Sequence, residues 1–333
     1  MSRPLRVFIN GFGRIGRSLF RQILTTPVGA GIEVAGVNDI APLETCAYLL
    51  RFDSVYGPFP GSVEAGPGWL QADDARLPFH HVSDLRQLDL AEVDVVLECT
   101  GRAKDRQTAD AGMTAGAAQV LISGPSGAAD RTIVLGANEA DLREARIVSN
   151  ASCTTNAIAP LLRALDGAFG ITRAHVTTVH CYTGSQPTVD QPGANLERSR
   201  AAAVSMVPTT TSAMDQVTRV LPGFRDRLSV AAVRVPTISV SAVDAVLQLD
   251  RPPRGDAASA LAEALADRTL FGMTHDPCVS TDFRGRSESL VLALPETQVL
   301  PDGQLRLLGW YDNEWGFSAR MLDMARRMAA RDL

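Results

Sequence analysis

The chain has 333 residues, a formal charge of −5 at neutral pH, and 45 % hydrophobic and 21 % charged residues. That length exceeds one ordinary core and points to two domains, while mild acidity with scattered arginines gives no field for holding nucleic acid as a primary role. No apolar run approaches the ~20 residues of a membrane span. Met1-Ser2-Arg3-Pro4 enters a strand at once, leaving no room for a signal peptide. Five cysteines (Cys46, Cys99, Cys153, Cys181 and Cys278) show neither CxxC nor Cys/His metal spacing. The expectation is a reduced, cytoplasmic protein with no metal and no membrane attachment.

Leu5–Ile9 reads as a short apolar strand, followed at once by Asn10-Gly11-Phe12-Gly13-Arg14-Ile15-Gly16 and a helix-like run from Ser18 to Leu24. Gly11, Gly13 and Gly16 fit G-x-G-x-x-G: a tight turn, a close approach of backbone to pyrophosphate, and close helix–strand packing. A second strand, Ile32–Val37, ends at Asp39, 23 residues past Gly16. A carboxylate there accepts from both adenosine ribose hydroxyls and repels a 2′-phosphate, which favours NAD over NADP. Asp39 equally suits a cap at a strand end. The segment from Asp53 to Pro78, rich in Gly and Pro, reads as loops and short strands. Further alternation follows: strand Val93–Glu98, helix Arg106–Ala115, strand Gln119–Ser123, then strands at Thr132–Leu135 and Ile147–Ser149. This predicts a doubly wound parallel sheet with ligand at the strands' C-terminal ends, where Asp39, Thr100, Ser123 and Cys153 all fall.

Ser149-Asn150-Ala151-Ser152-Cys153-Thr154-Thr155-Asn156 joins the last of these strands to an apolar helix. Cys153 at a helix N-terminus meets free backbone N–H groups and the positive end of the macrodipole, which lower a thiol's pKa; a small buried residue capped by Ser and Thr is the plain alternative. Strand Arg173–His180 follows, placing His180 27 residues after Cys153 and at a strand end. A Cys–His pair supplies nucleophile and acid/base together. After a long stretch to Pro208 come antiparallel-looking strands at Arg227–Val235, Ser239–Leu249, Ser289–Leu294 and Gln304–Trp310, with a helix at Ala257–Ala266. A C-terminal helix, Phe317–Ala330, closes the chain with Met321, Met324 and Met328 as core contacts. The predicted fold class is α/β: an N-terminal Rossmann-type parallel sheet (1–152), a catalytic α+β domain with a mixed, largely antiparallel sheet (153–316), and a terminal helix (317–333) packing back on the first domain.

Over nearly its full length the chain resembles the phosphorylating glyceraldehyde-3-phosphate dehydrogenase family. The segments that carry the resemblance are Asn10–Arg17, Val37–Asp39, Ser149–Asn156, His180–Thr183, Arg198–Ala202, Pro208–Thr211, Arg234–Thr237 and Trp310–Gly316. It implies that the Cys153 thiolate attacks an aldehyde, that His180 stabilises the thiolate and acts as acid/base while hydride passes to NAD, and that phosphate then releases an acyl phosphate. It implies NAD contacts at Arg14, Ile15, Asp39 and Ser123, with Asn313 orienting the nicotinamide amide. Thr183 and Arg234 correspond to the site for the substrate's phosphate, and Ser152, Thr154, Arg200, Thr211 and Ser212 to that for inorganic phosphate. It further implies a homotetramer, and Pro192 matches the NAD-specific pattern.

Several positions depart from the family: Ser212 for glycine, Ser185 for an acidic residue, His81 for arginine, Phe317 for tyrosine and Ala157 for cysteine. Val233–Ile238 and Asn313–Phe317 resemble erythrose-4-phosphate dehydrogenase, which makes that activity the alternative. A Cys–His acyltransferase leaves the nucleotide fingerprint idle, and a non-catalytic NAD-binding protein leaves the nucleophile idle.

Overall fold

The computed structural model describes residues 3–330. Met1 and Ser2, where the expectation about a signal peptide begins, and residues 331–333 of the expected terminal helix lie outside the described residues. The chain divides into two compact units: residues up to Ile133 with Glu139–Ser152 and the segment from Ser318, and Val134–Asn138 with Cys153–Phe317.

The first unit is built on nine strands: β1 (Leu5–Asn10), β2 (Ile32–Asn38), β3 (Val63–Gly66), β4 (Trp69–Ala72), β5 (Ala75–His80), β6 (Val95–Glu98), β7 (Gln119–Ile122), β8 (Arg131–Thr132) and β9 (Ile147–Ser149). They lie in the order β8-β9-β7-β6-β1-β2-β5-β4-β3. From β8 to β5 every pair is parallel, and only β4 and β3 add antiparallel edges. The central strands are continuous apolar runs because parallel strands are covered on both faces; Phe8, Val96, Val120 and Ile147 belong to one buried cluster. Chain order reverses at β1, between β2 and β6, and such a switch point opens a crevice at the strands' C-terminal ends.

Helix α1 (Arg14–Thr25) starts four residues before the expected Ser18, because extended Gly13 caps it directly after the glycine turn. Helices α2 (Leu43–Arg51) and α3 (Arg106–Thr114) complete this unit, together with the C-terminal segment. That segment is fixed by Gln119 Nε2 donating to the Met328 carbonyl at 3.2 Å and Arg326 Nη2 to the Ala30 carbonyl at 3.0 Å. Met321, Met324 and Met328 are fully buried. The strand expected at Thr132–Leu135 is confined to Arg131–Thr132.

The second unit opens with helix α4 (Cys153–Phe169) and strand β10 (Ile171–Cys181). Strand β11 (Val207–Thr209), helix α5 (Ala213–Val220), strands β12 (Leu228–Val235) and β13 (Ser241–Leu249), and helix α6 (Ala257–Ala264) follow. Strands β14 (Phe271–Thr274), β15 (Leu290–Ala293) and β16 (Gln304–Tyr311) complete the sheet, and helix α7 (Trp315–Ala329) leaves it. Sheet order is β11-β12-β10-β13-β16-β15-β14, with Gln298–Val299 pairing β16. The sheet is mixed: β10–β12 and β14–β15 are parallel and the other pairs antiparallel. β12, which reads in sequence as one of an antiparallel series, therefore runs alongside β10.

Gly16 tests the glycine turn. A Cβ there would sit 2.1 Å from the Gly11 carbonyl oxygen, a backbone atom that cannot yield cheaply. Gly16→Ala is expected to cost on the order of 1–3 kcal/mol of stability, the usual range for overpacking, read by urea unfolding; an unchanged midpoint would contradict the packing role.

Candidate active site

Helix α4 begins at Cys153 itself, so the thiol sits where the first-turn amides have no intrahelical acceptor. Two residues earlier Ala151 takes φ +54° while fully buried, a left-handed strain of the kind that functional turns retain. The chain follows α4, turns at Gly170 (φ +66°) and returns along β10 to His180. His180 Nε2 lies 3.5 Å from Cys153 Sγ. At the far end of α4, Asp166 accepts two bonds from Arg227 at 2.9 Å and one from Ile171 N at 2.7 Å, which ties the helix to the strands it must align with.

The β10–β12 register pairs His180 with Arg234. Arg234 Nη1 is 2.6 Å from His180 Nδ1 and 2.9 Å from the Cys181 carbonyl oxygen, and Nδ1 is itself 2.7 Å from that oxygen. Below the ring, Tyr311 on β16 stands edge-on to His180 with centroids 6.0 Å apart. Its buried hydroxyl bridges Thr154 Oγ1 at 2.9 Å and Thr178 Oγ1 at 2.8 Å. Asn313 is buried, and its Oδ1 accepts from the Cys181 thiol at 3.1 Å.

Burial governs the charge states. It lowers His180 to about 4, assisted by the Arg234 charge and opposed by the bond to the Cys181 carbonyl. It also pushes the Cys153 thiol up, against the Thr154 hydroxyl and the Arg234 charge, which pull it down. Desolvation therefore opposes the lowering expected of a thiol at a helix terminus, while the Thr154 hydroxyl and the Arg234 charge work with it. For two groups this close, the proton belongs to the pair.

The expected phosphate residues are distributed unevenly. Thr183 Oγ1 bonds Ser185 Oγ at 3.0 Å, and Arg198 Nη2 donates to Ser185 at 3.1 Å. Arg200 is exposed and turned to Asp190 at 2.8 Å, whereas Arg198 reaches Ser185, the hydrogen-bond partner of Thr183. Sequence reasoning quoted Arg198 without giving it a role, because two arginines one residue apart carry the same signal. Thr211 Oγ1 accepts from Ala213 N at 3.1 Å, and exposed Ser212 precedes α5 without capping it through its side chain. Thr154 faces Tyr311, and Ser152 immediately precedes α4.

In the first unit Gly11, Gly13, Asp39, Thr100 and Arg102 line a cleft of about 400 Å³, within the size range of small-molecule sites. Asp39 Oδ2 accepts from Phe12 N at 2.6 Å and Oδ1 from Ala41 N at 2.8 Å, which locks the glycine turn to the end of β2. The Arg14 guanidinium is paired with Asp53, whose side chain is buried. Ile15 and Gly16 continue the first turn of α1. Ser123 follows β7, its N–H donating to the Glu98 carbonyl at 2.9 Å.

Two family models match the chain: the glyceraldehyde 3-phosphate dehydrogenase NAD binding domain over residues 5–106, and the C-terminal domain of the same enzyme over 152–313. The chain belongs to the glyceraldehyde-3-phosphate dehydrogenase family. It is 44 % identical to the glyceraldehyde-3-phosphate dehydrogenase of Cereibacter sphaeroides, covering 97 % of this chain and 98 % of that one. It is 42 % identical to the Xanthobacter flavus protein of that name, over 97 % and 98 %. Identity to the Geobacillus stearothermophilus protein is 40 %, over 99 % of both chains.

The first-unit cleft fits the NAD that this family model names. A Cβ on Gly13 would meet no atom within 4 Å, so the glycine leaves open the space that a pyrophosphate needs to approach the backbone. Of the positions where the resemblance implies a departure, Ala157 and Phe317 are buried, while His81 Nδ1 contacts the Asp39 carbonyl at 3.0 Å beside the cleft. Among the described residues no group of three His, Cys, Asp or Glu is placed to hold a metal, and no helix is long and apolar enough to cross a membrane.

Gly13→Ala is therefore expected to leave stability within about 0.5 kcal/mol of the parent while weakening NAD binding at least tenfold, as read by fluorescence titration. Unaltered affinity would remove the pyrophosphate from this turn. Tyr311→Phe should cost about 1–3 kcal/mol in urea unfolding, because it strips two buried threonine hydroxyls of their shared partner; no loss would mean that the bridge carries no stability.

Proposed function

We propose that the chain catalyses the NAD-dependent, phosphorylating oxidation of glyceraldehyde 3-phosphate to 1,3-bisphosphoglycerate. The observation that carries this reading is a cysteine at a helix N-terminus 3.5 Å from a buried imidazole, with an arginine directly behind the ring. Cys153 attacks the aldehyde carbon to form a hemithioacetal. His180 then takes the hydroxyl proton as hydride departs, leaving a thioester that inorganic phosphate cleaves to an acyl phosphate. Bound NAD supplies the hydride acceptor. Gly11, Gly13 and the backbone of Arg14 and Ile15 receive its pyrophosphate, Asp39 the adenosine ribose, Ser123 a further part of the cofactor, and Asn313 the nicotinamide amide.

Thr183 and Arg234 hold the substrate's phosphate, for which a fixed guanidinium fork is suited. Ser152, Thr154, Thr211 and Ser212 form the inorganic phosphate site. Arg198, which donates to the Ser185 hydroxyl that also bonds Thr183, takes a cationic place beside the substrate's phosphate, while the Arg200 guanidinium is occupied by Asp190. A cytoplasmic homotetramer fits this reading, as does preference for NAD, since Asp39 disfavours a 2′-phosphate.

Cys153→Ser should abolish NADH formation and leave NAD affinity within about twofold, because the thiol is the nucleophile and is not one of the groups proposed to hold the cofactor; retained turnover would rule out the covalent route. Arg234→Ala should raise KM for the aldehyde phosphate by tenfold or more, the scale of one lost charged hydrogen bond of about 1.5–3 kcal/mol. An unchanged KM would move the phosphate elsewhere.

A further inference from the structure

Four neighbouring strands of the first unit end at its cleft, and polar groups at those ends are joined in one line. Glu98 closes β6, Asn10 closes β1, Asn38 closes β2, and Val82 follows β5 by two residues. Asn10 Nδ2 donates to Glu98 Oε2, and Asn38 Nδ2 donates to Asn10 Oδ1 at 2.8 Å. Asn38 Nδ2 also donates to the Val82 carbonyl at 3.1 Å, and Val82 N donates back to Asn38 Oδ1 at 2.9 Å. At the other end Thr100 N donates to Glu98 Oε1 at 2.9 Å, joined by the Thr100 hydroxyl. Strand order is β6-β1-β2-β5, so the line crosses the point at β1 where chain order reverses. Glu98, Asn10 and Asn38 are buried, and all five residues line the cleft.

The line has a direction, and it is pinned from both ends. A main-chain N–H only donates and a main-chain carbonyl only accepts. Val82 therefore fixes Asn38 with Oδ1 toward its N–H and Nδ2 toward its carbonyl. Asn38 Nδ2 then requires Asn10 Oδ1, which leaves Asn10 Nδ2 for Glu98. Thr100 N makes the same demand on the other carboxyl oxygen. Position 98 must offer two acceptors; a carboxylate does so, and a carboxamide offers one. Burial pushes the Glu98 carboxyl up, while the Thr100 hydroxyl, the Asn10 amide and the Thr100 N–H draw it down, with no cation among these causes. A buried carboxylate is costly to hold unless such donors fill its lone pairs.

We propose that Glu98 is a positioning residue for the adenosine half of NAD, acting through the line of amides on Asn38 and Thr100 and so on Asp39 and the glycine turn. This rests on the placement of NAD in the first-unit cleft given above. The chain neighbours of the line are the groups assigned to the cofactor. Asp39 follows Asn38, and Gly11 follows Asn10 and donates its N–H to the Asn38 carbonyl at 2.8 Å. Cys99 N donates to the Asn10 carbonyl at 2.7 Å, which ties the Glu98–Thr100 corner to the same turn. Both hydrogens of the Asn38 amide are used within the line, so its part is to hold Asp39 rather than to bind. A carboxylate that meets two ribose hydroxyls needs placement to within about 0.5 Å, which a supporting layer of fixed hydrogen bonds provides.

The test is NAD affinity by fluorescence titration, ADP-ribose affinity by competition, and steady-state kinetics for Glu98→Gln, Asn10→Asp and the double variant. Glu98→Gln sets an amide nitrogen against Asn10 Nδ2 or Thr100 N. Kd for NAD and for ADP-ribose, which lacks only the nicotinamide, should rise together by about tenfold or more, the effect of one buried donor facing another. KM for NAD should rise as much, while kcat at saturating NAD stays within about twofold, the mark of lost uniform binding. Asn10→Asp alone puts carboxylate against carboxylate and should weaken both ligands at least as far. Combined, the two changes restore the line with its charge moved one place. The new amide at position 98 donates to the new carboxylate at position 10, which still accepts from Asn38 Nδ2, and the amide oxygen still accepts from Thr100 N. The double variant should recover Kd to within about threefold of the parent, the non-additivity expected of residues in one network. A double variant that folds yet binds NAD as weakly as Glu98→Gln would overturn the proposal, since a packing role predicts that result. Glu98→Gln with the parent's Kd would overturn it too. Should Glu98→Gln fail to fold, a double variant with the parent's fold and affinity supports the line, and one that also fails, or binds weakly, overturns it. If the parent itself binds neither NAD nor ADP-ribose, the placement of the cofactor falls; parent binding with an indifferent Glu98→Gln defeats the positioning role alone.

Discussion

The parallel pairing of β10 with β12 is the constraint on which the active site depends. One register places His180 beside Arg234 and Cys181 beside Val235. Because side chains alternate along a strand, a slip of one residue would turn the imidazole away from Cys153 and the guanidinium away from the imidazole together. The register is held at its far end by Arg227, which leads into β12 and grips Asp166 of α4. Helix, strand and strand thus share one anchor, and the catalytic contacts appear at the opposite ends of the same elements.

Burial then sets the chemical character of those contacts. An exposed Cys–His pair would titrate near its ordinary values; here desolvation drives the imidazole down and the thiol up, so both are held toward their neutral forms. The few polar groups that remain, the Arg234 charge, the Thr154 hydroxyl and the Cys181 carbonyl, act in a medium where each counts for more than it would in water. Tyr311 serves this environment without touching the thiol: its hydroxyl satisfies Thr154 and Thr178, two groups that would otherwise be buried without that partner.

Much of this was legible in the sequence where the signal is local. Gly11, Gly13, Gly16 and Asp39 lie within one β-α-β unit, and the run around Cys153 places its thiol at a strand-to-helix junction. His180 was legible as a strand end following that helix. What could not be read depends on pairing between distant strands. Nothing in the residues of β12 says that it runs parallel to β10, so the contact of Arg234 with the ring was invisible even though both residues were named. Arg198 and Arg200 are separated only by where the loop folds, and Tyr311 acquires its role from three elements meeting. Helix α5 was overlooked although Ala213, Gln216, Val217 and Val220 carry a helical spacing and are buried; with eight residues, it is shorter than the patterns that stand out.

The central claim is that a triose phosphate is oxidised by NAD while bound to one cysteine, through a thioester that inorganic phosphate cleaves. The most direct measurement is NADH formation by the purified protein from glyceraldehyde 3-phosphate and from erythrose 4-phosphate, each with and without inorganic phosphate. The account predicts fast turnover of the triose that requires phosphate. Preference for the tetrose with no dependence on phosphate would contradict it, and would turn attention to Ser212 and Phe317.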